Sequence, residues 1–350
     1  MHLQLGIVIA AAIVGFTVGL TGMGGGALMT PILLIFFGIN PTAAVSSDLV
    51  AAMIMKPVGG GVHIRRRTVR WDLVKWLCIG SIPAAFGGVM VLQQVGDPEA
   101  IEDATKTLLG ITLLLAAGAM VFKSYLQGRR SAEARRAGLH PHASAEPTPV
   151  RAIPTIFIGI LGGFLVGLTS VGSGSIIIVC LMLLYPRLRG AQLVGTDLVQ
   201  AIPLVAAAAL GHILYGDFQL SLTTSILLGS LPGVYLGARM SSRAPDGVIR
   251  PALVFVLVAS GLKLMGLPTI DLGYVLLLIV LVGLPIWGAV DAARKHEDRW
   301  DGGERSRARW VRVQSFGAVI GVGFVASIVY FARIRPRLVP SRAAAVPAAA

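Results

Sequence analysis

Long apolar segments separated by short polar loops make up most of this chain. Twelve such segments can be marked, and most approach the roughly 20 residues that a helix needs to cross a bilayer. They cover residues 3–20, 27–38, 42–62, 71–94, 104–122, 152–170, 175–185, 191–212, 218–238, 248–266, 271–291 and 313–332. Membrane segments of this kind must satisfy their backbone groups internally, which favours helices. The pattern therefore predicts an all-α polytopic membrane protein.

The sequence contains two copies of one apolar unit. The segment Gly15–Gly26 (GFTVGLTGMGGG) returns 148 residues later as Gly163–Gly174 (GFLVGLTSVGSG). Further matches at an offset of 149 join Asp48 with Asp197, His63 with His212, and Gly80 with Gly229. Two apolar copies with matched glycine-rich breaks are typical of secondary transporters built from internal repeats.

Two of the apolar segments, 27–38 and 175–185, are too short to cross a bilayer alone. Each follows directly after a glycine-rich break in the preceding segment. We therefore predict that each short segment, together with the one before it, forms a broken helix or a re-entrant hairpin.

The placement of charge predicts the orientation of the chain. Its 30 Lys and Arg exceed its 17 Asp and Glu, giving a net charge of +13. The basic residues lie mainly in short loops between apolar segments, which is the positive-inside pattern and argues against nucleic acid as a partner. The loop at 65–70 is basic, whereas its counterpart at 214–219 has no Lys or Arg. Equivalent loops of opposite charge predict two inverted-topology repeats, with loop 65–70 cytoplasmic and the N-terminus periplasmic.

The same pattern predicts the division of the chain into parts. Arginine pairs and prolines mark a polar stretch between the copies, and the last two apolar segments have no counterpart in either copy. We expect a first membrane repeat over 1–125, a cytoplasmic linker over 126–151, a second membrane repeat over 152–266, two additional transmembrane helices over 267–335, and a disordered tail over 336–350.

The glycine-rich breaks are candidate binding sites for an anion. A helix that restarts after a break presents unpaired N–H groups and the positive end of its dipole. Two such ends pointed at the membrane midplane from opposite sides would hold a small anion. The candidate groups are Thr21, Gly22, Gly24, Gly25 and Gly26 in the first copy and Thr169, Gly172, Ser173, Gly174 and Ser175 in the second. The alternative is that these glycines only permit close packing of helices.

Two acids occupy equivalent positions inside apolar segments. An Asp within a bilayer costs about 3 kcal/mol on insertion scales, so the matched pair Asp48 and Asp197 suggests a function in proton coupling or substrate contact. The adjacent Ser47 and Thr196 are candidates for the same role. The alternative is a pair of acids near the starts of their helices, stabilised by the helix dipole. Because ionised acids would repel an anionic substrate, their protonation during binding is our hypothesis for proton coupling.

One lysine and two histidines complete the candidate set. Lys56 lies eight residues after Asp48, about 12 Å along the same helix face, and its counterpart in the second copy is Val205. It either binds substrate or neutralises an acid, or its side chain extends to the interface. His63 and His212 end their segments, where a cap or interfacial contact is favoured over proton transfer.

No pattern indicates an enzyme, a metal site or a cofactor. Cys78 and Cys180 lie in apolar segments without the spacing of metal ligands. We therefore expect no catalytic residue, no metal and no cofactor. Two competing hypotheses are an intramembrane enzyme that uses the buried acids, and an ion channel, although no selectivity-filter motif is present.

These motifs resemble the TauE/SafE family, the sulfite exporter-like membrane permeases. The resemblance covers about residues 5–266. It rests on Gly15–Gly26, Ser47–Leu49, Gly61–His63, Gly195–Leu198, Gly211-His212 and Gly229–Pro232. It implies a duplicated transporter in the bacterial inner membrane that moves small anions such as sulfite, organosulfonates or related organic acids.

Overall fold

The fold consists of helices throughout the part of the chain that the structure describes. A computed structural model describes residues 4–21, 25–94, 96–136, 149–186, 188, 190–240, 246–268, 309–314, 326–327 and 329–330. The helices are α1 (Leu5–Thr21), α2 (Gly26–Phe37), α3 (Pro41–Arg65), α4 (Trp71–Gln93), α5 (Pro98–Arg136), α6 (Ala152–Thr169), α7 (Ile176–Leu184), α8 (Gly190–Tyr215), α9 (Leu220–Met240) and α10 (Asp246–Leu264). No strand occurs among these residues, so the predicted all-α class is confirmed.

Several helices are suited to a bilayer. Five described helical stretches are long and apolar enough to cross a membrane: Trp71–Gln93, Pro98–Gln127, Ala152–Thr169, Gly190–Tyr215 and Leu220–Gly237. Large apolar side chains also face outwards, with Leu5 71% and Phe36 78% exposed. In water such a surface would be unfavourable, whereas in lipid it costs nothing. The chain is a multi-pass membrane protein.

The first ten apolar segments agree with α1 to α10 to within a few residues, except at α5. That helix continues through Arg136, into the polar linker that the sequence predicts over 126–151. Its last residues are Ser131–Arg136 (SAEARR), and Ala, Glu and Arg have high intrinsic helix propensity. The linker therefore begins as helix. The predicted segment 271–291 lies outside the described residues.

The chain divides into two compact units, residues 1–266 and 267–350. The first unit contains α1 to α10. In the described part of the second unit, the Ser327 hydroxyl donates to the Gln314 amide oxygen over 3.5 Å. The rings of Trp310 and Tyr330 lie 5.9 Å apart.

Helix packing in the first unit is nearly unchanged when the two sequence copies are exchanged. Helix α1 packs along α9, and its counterpart α6 packs along α4, the counterpart of α9. Helices α3 and α8 pack against each other, as do α5 and α10, and the members of each pair are counterparts. The duplication therefore extends from the sequence to the packing. The inverted orientation of the copies stays a prediction.

Glycines allow the closest of these contacts. A methyl group at Gly80 of α4 would collide with the Ile156 carbonyl oxygen of α6. Its counterpart Gly229 of α9 meets the Val8 carbonyl oxygen of α1 in the same way. Small residues at helix interfaces let backbones approach and pack closely, which is a main source of stability in lipid.

Gly80→Ala is expected to destabilise the fold by about 1–3 kcal/mol, because the added methyl group forces α4 and α6 apart. Gly87 is the matched control, since it lies in the same helix with nothing within 4 Å of an added methyl group. Gly87→Ala is expected to be neutral or stabilising by up to about 1 kcal/mol. Thermal unfolding of both variants in detergent measures the difference. If the two variants change the unfolding temperature by the same amount, the close α4–α6 contact at Gly80 does not determine the stability of the fold.

Candidate functional site

A cavity of about 350 Å³ lies among α1, α2, α3, α8 and α9. Its charged and titratable lining groups all come from α3 and the residue that follows it: Asp48, Lys56, His63 and Arg66. They lie on one face of α3, and the distance from the first to the last is about 27 Å along the helix axis. The lining from α1 and α9 is apolar, except for Gly19 and the side chain of Ser230. The cavity thus follows α3 from its buried part to the basic loop at 65–70.

Asp48 is held by hydroxyl groups from two other elements. Its Oδ2 accepts hydrogen bonds from Thr30 Oγ1 of α2 at 3.0 Å and from Ser170 Oγ at 2.7 Å. Ser170 follows α6 in the left-handed backbone conformation, at the start of the second break. Asp48 is only 3% exposed. The alternative interpretation was an acid stabilised only by the dipole at the start of its own helix. The hydrogen bonds from Thr30 and Ser170 do not match that interpretation.

Lys56 is buried and turned towards the second break. It is 9% exposed, and its Nζ donates a hydrogen bond to Ser173 Oγ at 2.6 Å. Both Asp48 and Asp197 act on its charge. The ammonium therefore lies in the field of the two acids, which favours neutralisation of an acid over extension to the membrane interface. The sequence alone left these two possibilities open.

Asp197 is 1% exposed and has different partners from Asp48. Its Oδ1 accepts from Gln200 Nε2 at 3.4 Å, and the backbone N–H of Gly174 also interacts with it. Gln200 Oε1 in turn accepts from Ser81 Oγ at 3.2 Å. The matched acids thus face different surroundings: Asp48 lines the cavity, whereas Asp197 belongs to a buried polar chain.

The two glycine-rich breaks touch each other. A side chain at Gly26, the first residue of α2, would collide with Ser170 at the start of the second break. Gly25 lines the cavity. Helices α2 and α7 both begin at these breaks, and in neither helix does the N-cap side chain bond to the backbone. The contact joins the N-terminus of α2, where the helix dipole favours negative charge, to the residue that ends α6.

The second break has a backbone that requires glycine. Gly172 has φ 131° and Gly174 has φ 93°, which residues with side chains rarely adopt. Ser173, Gly174 and Ser175 line a second space of only about 20 Å³. The Thr169 hydroxyl donates to the Leu165 carbonyl oxygen of its own helix at 2.7 Å. Gly22, Gly24 and the side chain of Thr21 lie outside the described residues.

The two histidines have unlike environments. His212 is 2% exposed and its Nε2 donates to the Gly167 carbonyl oxygen at 2.8 Å. Its Nδ1 lies 2.9 Å from Ser46 Oγ, and that hydroxyl donates to the Thr42 carbonyl oxygen at 2.6 Å. His63 is half-buried, lines the cavity and bonds Thr68 Oγ1 at 2.9 Å. His212 joins three helices, whereas the hydrogen bond of His63 lies at the end of its own helix, as in a capping contact.

Ser47 and Thr196, the polar neighbours of the acids, bond to backbone groups. Ser47 Oγ donates to the Gln219 carbonyl oxygen at 3.5 Å, and Thr196 Oγ1 accepts from the Arg70 backbone N–H at 3.1 Å. Neither lines the cavity. The structure thus brings Asp48, Lys56 and His63 to one cavity and places Ser47 and Thr196 at helix–loop contacts.

The counterpart of the cavity in the second copy is filled. Leu204, Val205 and Ala208 correspond to the cavity residues Met55, Lys56 and Gly59 in the first copy. All three are at most 1% exposed and belong to a packed apolar core. The two sequence copies are therefore equivalent in packing partners, while one holds an open space and the other is closed.

Sequence reasoning missed several polar groups at the site. Thr30 and Ser170 hold Asp48, Gln200 contacts Asp197, and Ser230 lines the cavity. Ser170 could have been found, because it lies directly in the second glycine-rich break. Gln200 lies one helical turn after Asp197 in the same helix, so it too could have been found. Thr30 and Ser230 come from helices that approach the site only in the folded protein.

Known proteins with similar sequences support a transport function. The family model for the sulfite exporter TauE/SafE matches residues 7–264. A relative from Bacillus subtilis (strain 168), "Probable membrane transporter protein YjnA", is 38% identical over 75% of this chain and 100% of its own length. A second from the same organism, "Probable membrane transporter protein YdhB", is 23% identical over 74% of this chain and 99% of its own length.

A "Probable membrane transporter protein" from Xylella fastidiosa (strain 9a5c) is 26% identical over 67% of this chain and 83% of its own length. No solved structure matches the chain. The family match covers the whole helical unit that contains the cavity, both breaks and both buried acids. The chain therefore belongs to the sulfite exporter TauE/SafE family of membrane transporters.

Proposed function

We propose that this chain is a secondary carrier of small anions, with sulfite, organosulfonates and related short organic acids as its substrates. The observation that carries the proposal is the buried Lys56 ammonium on the wall of a cavity within a membrane-spanning bundle. Among the described residues the Lys56 ammonium bonds only the neutral Ser173 hydroxyl, and because a buried charge is costly in lipid, an anionic substrate is a favourable further partner. Arg66 continues the positive charge towards the cavity's basic end.

The cavity and its filled counterpart support alternating access between the two sides of the membrane. The cavity follows α3 to the loop at 65–70, which the positive-inside rule assigns to the cytoplasm. On this assignment the N-terminus is periplasmic, the membrane is the bacterial inner membrane, and the cavity serves the cytoplasmic side. Exchange of the conformations of the two copies would close this cavity and open the one now filled around Val205.

Proton coupling is the part of the proposal that rests on the acids. Asp48 and Lys56 both line the cavity, and Asp197 is close enough to interact electrostatically with Lys56. With both acids ionised the three groups sum to a negative site, which disfavours an anion. Uptake of a proton removes that repulsion. Thr30 and Ser170 already donate to Oδ2 of Asp48, so the proton would reside on Oδ1.

Flux of radiolabelled sulfite into proteoliposomes containing the purified full-length chain tests the function. We expect saturable uptake that competes with organosulfonates and accelerates when a proton gradient is imposed. Mildly alkaline buffers keep leakage of uncharged sulfur dioxide low, and empty liposomes give the background.

Two results would contradict the proposal. No protein-dependent flux of sulfite, organosulfonates or short carboxylates would remove the carrier assignment and favour the intramembrane-enzyme hypothesis. Conductance that rises linearly with anion concentration and never saturates would identify a channel.

A further inference from the structure

Ser230 of α9 is a buried hydroxyl without a partner. It is 2% exposed, and its Oγ has no hydrogen-bond partner among the described residues. A buried polar group left unpaired is destabilising, and nearly all such groups in folded proteins find a partner. Ser230 also lines the cavity that contains Asp48 and Lys56. A group bound in that space is therefore a candidate for the partner that the described residues do not supply.

The local structure of α9 does not supply the usual substitute. Serine and threonine in helices often bond the carbonyl one turn earlier, and in α9 Thr224 and Ser225 do so at 2.7 Å and 2.9 Å. Ser230 makes no such bond. Its backbone is fixed against α1, because Gly15 allows α1 to approach so closely that an added methyl group would collide with Ser230.

The counterpart of Ser230 shows how the filled copy satisfies the same hydroxyl. Ser81, at the matched position of α4, is fully buried and donates to Gln200 at 3.2 Å. The position that corresponds to Gln200 in the first copy is Ala51, which offers no acceptor side chain. The open copy thus lacks the internal partner that the closed copy has.

The surroundings of Ser230 indicate what kind of partner it lacks. Ile226 and Val234, one turn away on either side, line the same wall of the cavity and are apolar. Ser230 is therefore an isolated polar point on an otherwise apolar wall. The positively charged groups that line the same cavity come from α3 and the residue after it. A small anion with several oxygens can take a charged contact from Lys56 and a hydroxyl donor from this wall.

We propose that Ser230 is a substrate-binding residue whose hydroxyl donates a hydrogen bond to an oxygen of the anion held in the cavity. This inference rests on the proposed transport of anions. It adds a contact from α9 to a site whose charged groups are all on α3, so a bound anion would join the two helices.

Binding of sulfite, 2-hydroxyethanesulfonate and sulfoacetate to the purified full-length chain, measured by calorimetry, tests the inference. Loss of a hydrogen bond to a charged ligand corresponds to a loss of affinity of about ten-fold or more. S230A is expected to weaken binding by that factor, and S230T, which keeps the hydroxyl, to restore most of it. S225A is the matched control on the same helix, since Ser225 is also buried but bonds its own helix backbone. It is expected to bind as the wild type does.

A second measurement separates binding from folding. Removal of an unpartnered hydroxyl removes no internal hydrogen bond, so ligand-free S230A is expected to melt at or above the wild-type temperature. The additional stabilisation by ligand should be smaller in S230A than in the wild type.

The outcomes are distinct. If the wild type binds one of these anions and S230A binds it equally well, the role of Ser230 is wrong while the proposed function stands. If ligand-free S230A melts well below the wild type, Ser230 is a structural residue and the inference is again wrong. If the wild-type chain binds none of the three anions, the proposed function and this inference both fail.

Discussion

Lys56→Met is expected to abolish anion transport, with flux reduced about 100-fold or more. The substitution keeps the length and apolar stem of the side chain and removes the buried positive charge. A charge-assisted hydrogen bond to an anion is worth about 1.5–3 kcal/mol, which corresponds to a change of about ten- to more than one hundred-fold. Loss of the ammonium also leaves Asp48 and Asp197 without the cation that acts on both. Both effects disfavour an anion in the cavity.

Initial rates of sulfite uptake in proteoliposomes measure this effect, with equal amounts of folded protein verified by size-exclusion chromatography. Lys56→Arg keeps the charge and is expected to retain part of the activity. The matched control is Lys106→Met, because Lys106 is 42% exposed and pairs only with the nearby Asp103 in the described structure. It should transport normally. Wild-type rates in Lys56→Met would show that the anion does not depend on this cation, which would contradict the proposed function.

The helices, the breaks and the buried acids could be predicted from the sequence because each leaves a local signal. Segment length and hydropathy locate α1 to α10, and glycine repeats locate both breaks. The polar end of α5 was the exception, since the residues up to Arg136 are charged and yet form helix. There, helix propensity decided the structure where hydropathy indicated a loop.

The asymmetry between the two copies could not be predicted in the same way. Asp48 and Asp197 are equivalent in sequence, but one lines an open cavity and the other belongs to a buried polar chain with Gln200 and Ser81. A repeat has the same hydropathy pattern in either conformation. The pattern therefore does not indicate which copy contains the open cavity. Substitutions between the copies, such as Lys56 for Val205 and Gln200 for Ala51, were the available signal. They mark the positions at which the copies differ in polar contacts.

The remaining side chains of the site could not be predicted from the sequence for a related reason. Thr30 and Ser230 lie in apolar helices, where a single hydroxyl group usually bonds its own backbone. Only the folded arrangement shows that Thr30 donates to Asp48 and that Ser230, which lines the cavity, has no hydrogen-bond partner among the described residues. Contacts between distant helices depend on the packing geometry, which local sequence periodicity does not encode.

Asp48→Asn is expected to uncouple transport from the proton gradient and to leave exchange of anions across the membrane intact. Asparagine has the shape of the protonated acid, and its amide oxygen can accept the hydrogen bonds from Thr30 and Ser170. The variant therefore imitates a permanently protonated Asp48. A gradient of one pH unit supplies about 1.4 kcal/mol per coupled proton, or a ten-fold accumulation of substrate. The wild type should reach accumulation of this order, and the variant should reach none.

Two assays on the same proteoliposomes separate coupling from binding. Gradient-driven accumulation of sulfite measures coupling, and exchange of labelled for unlabelled sulfite at equal pH measures binding and conformational change. Asp103→Asn is the control, because the Asp103 side chain is 80% exposed, and it should behave as the wild type in both assays. Asp197→Asn tests whether the second acid shares the role. If both buried-acid variants still accumulate sulfite in proportion to the gradient, the proton is carried elsewhere or not at all. Loss of exchange as well as accumulation in Asp48→Asn would instead make this acid part of the binding site.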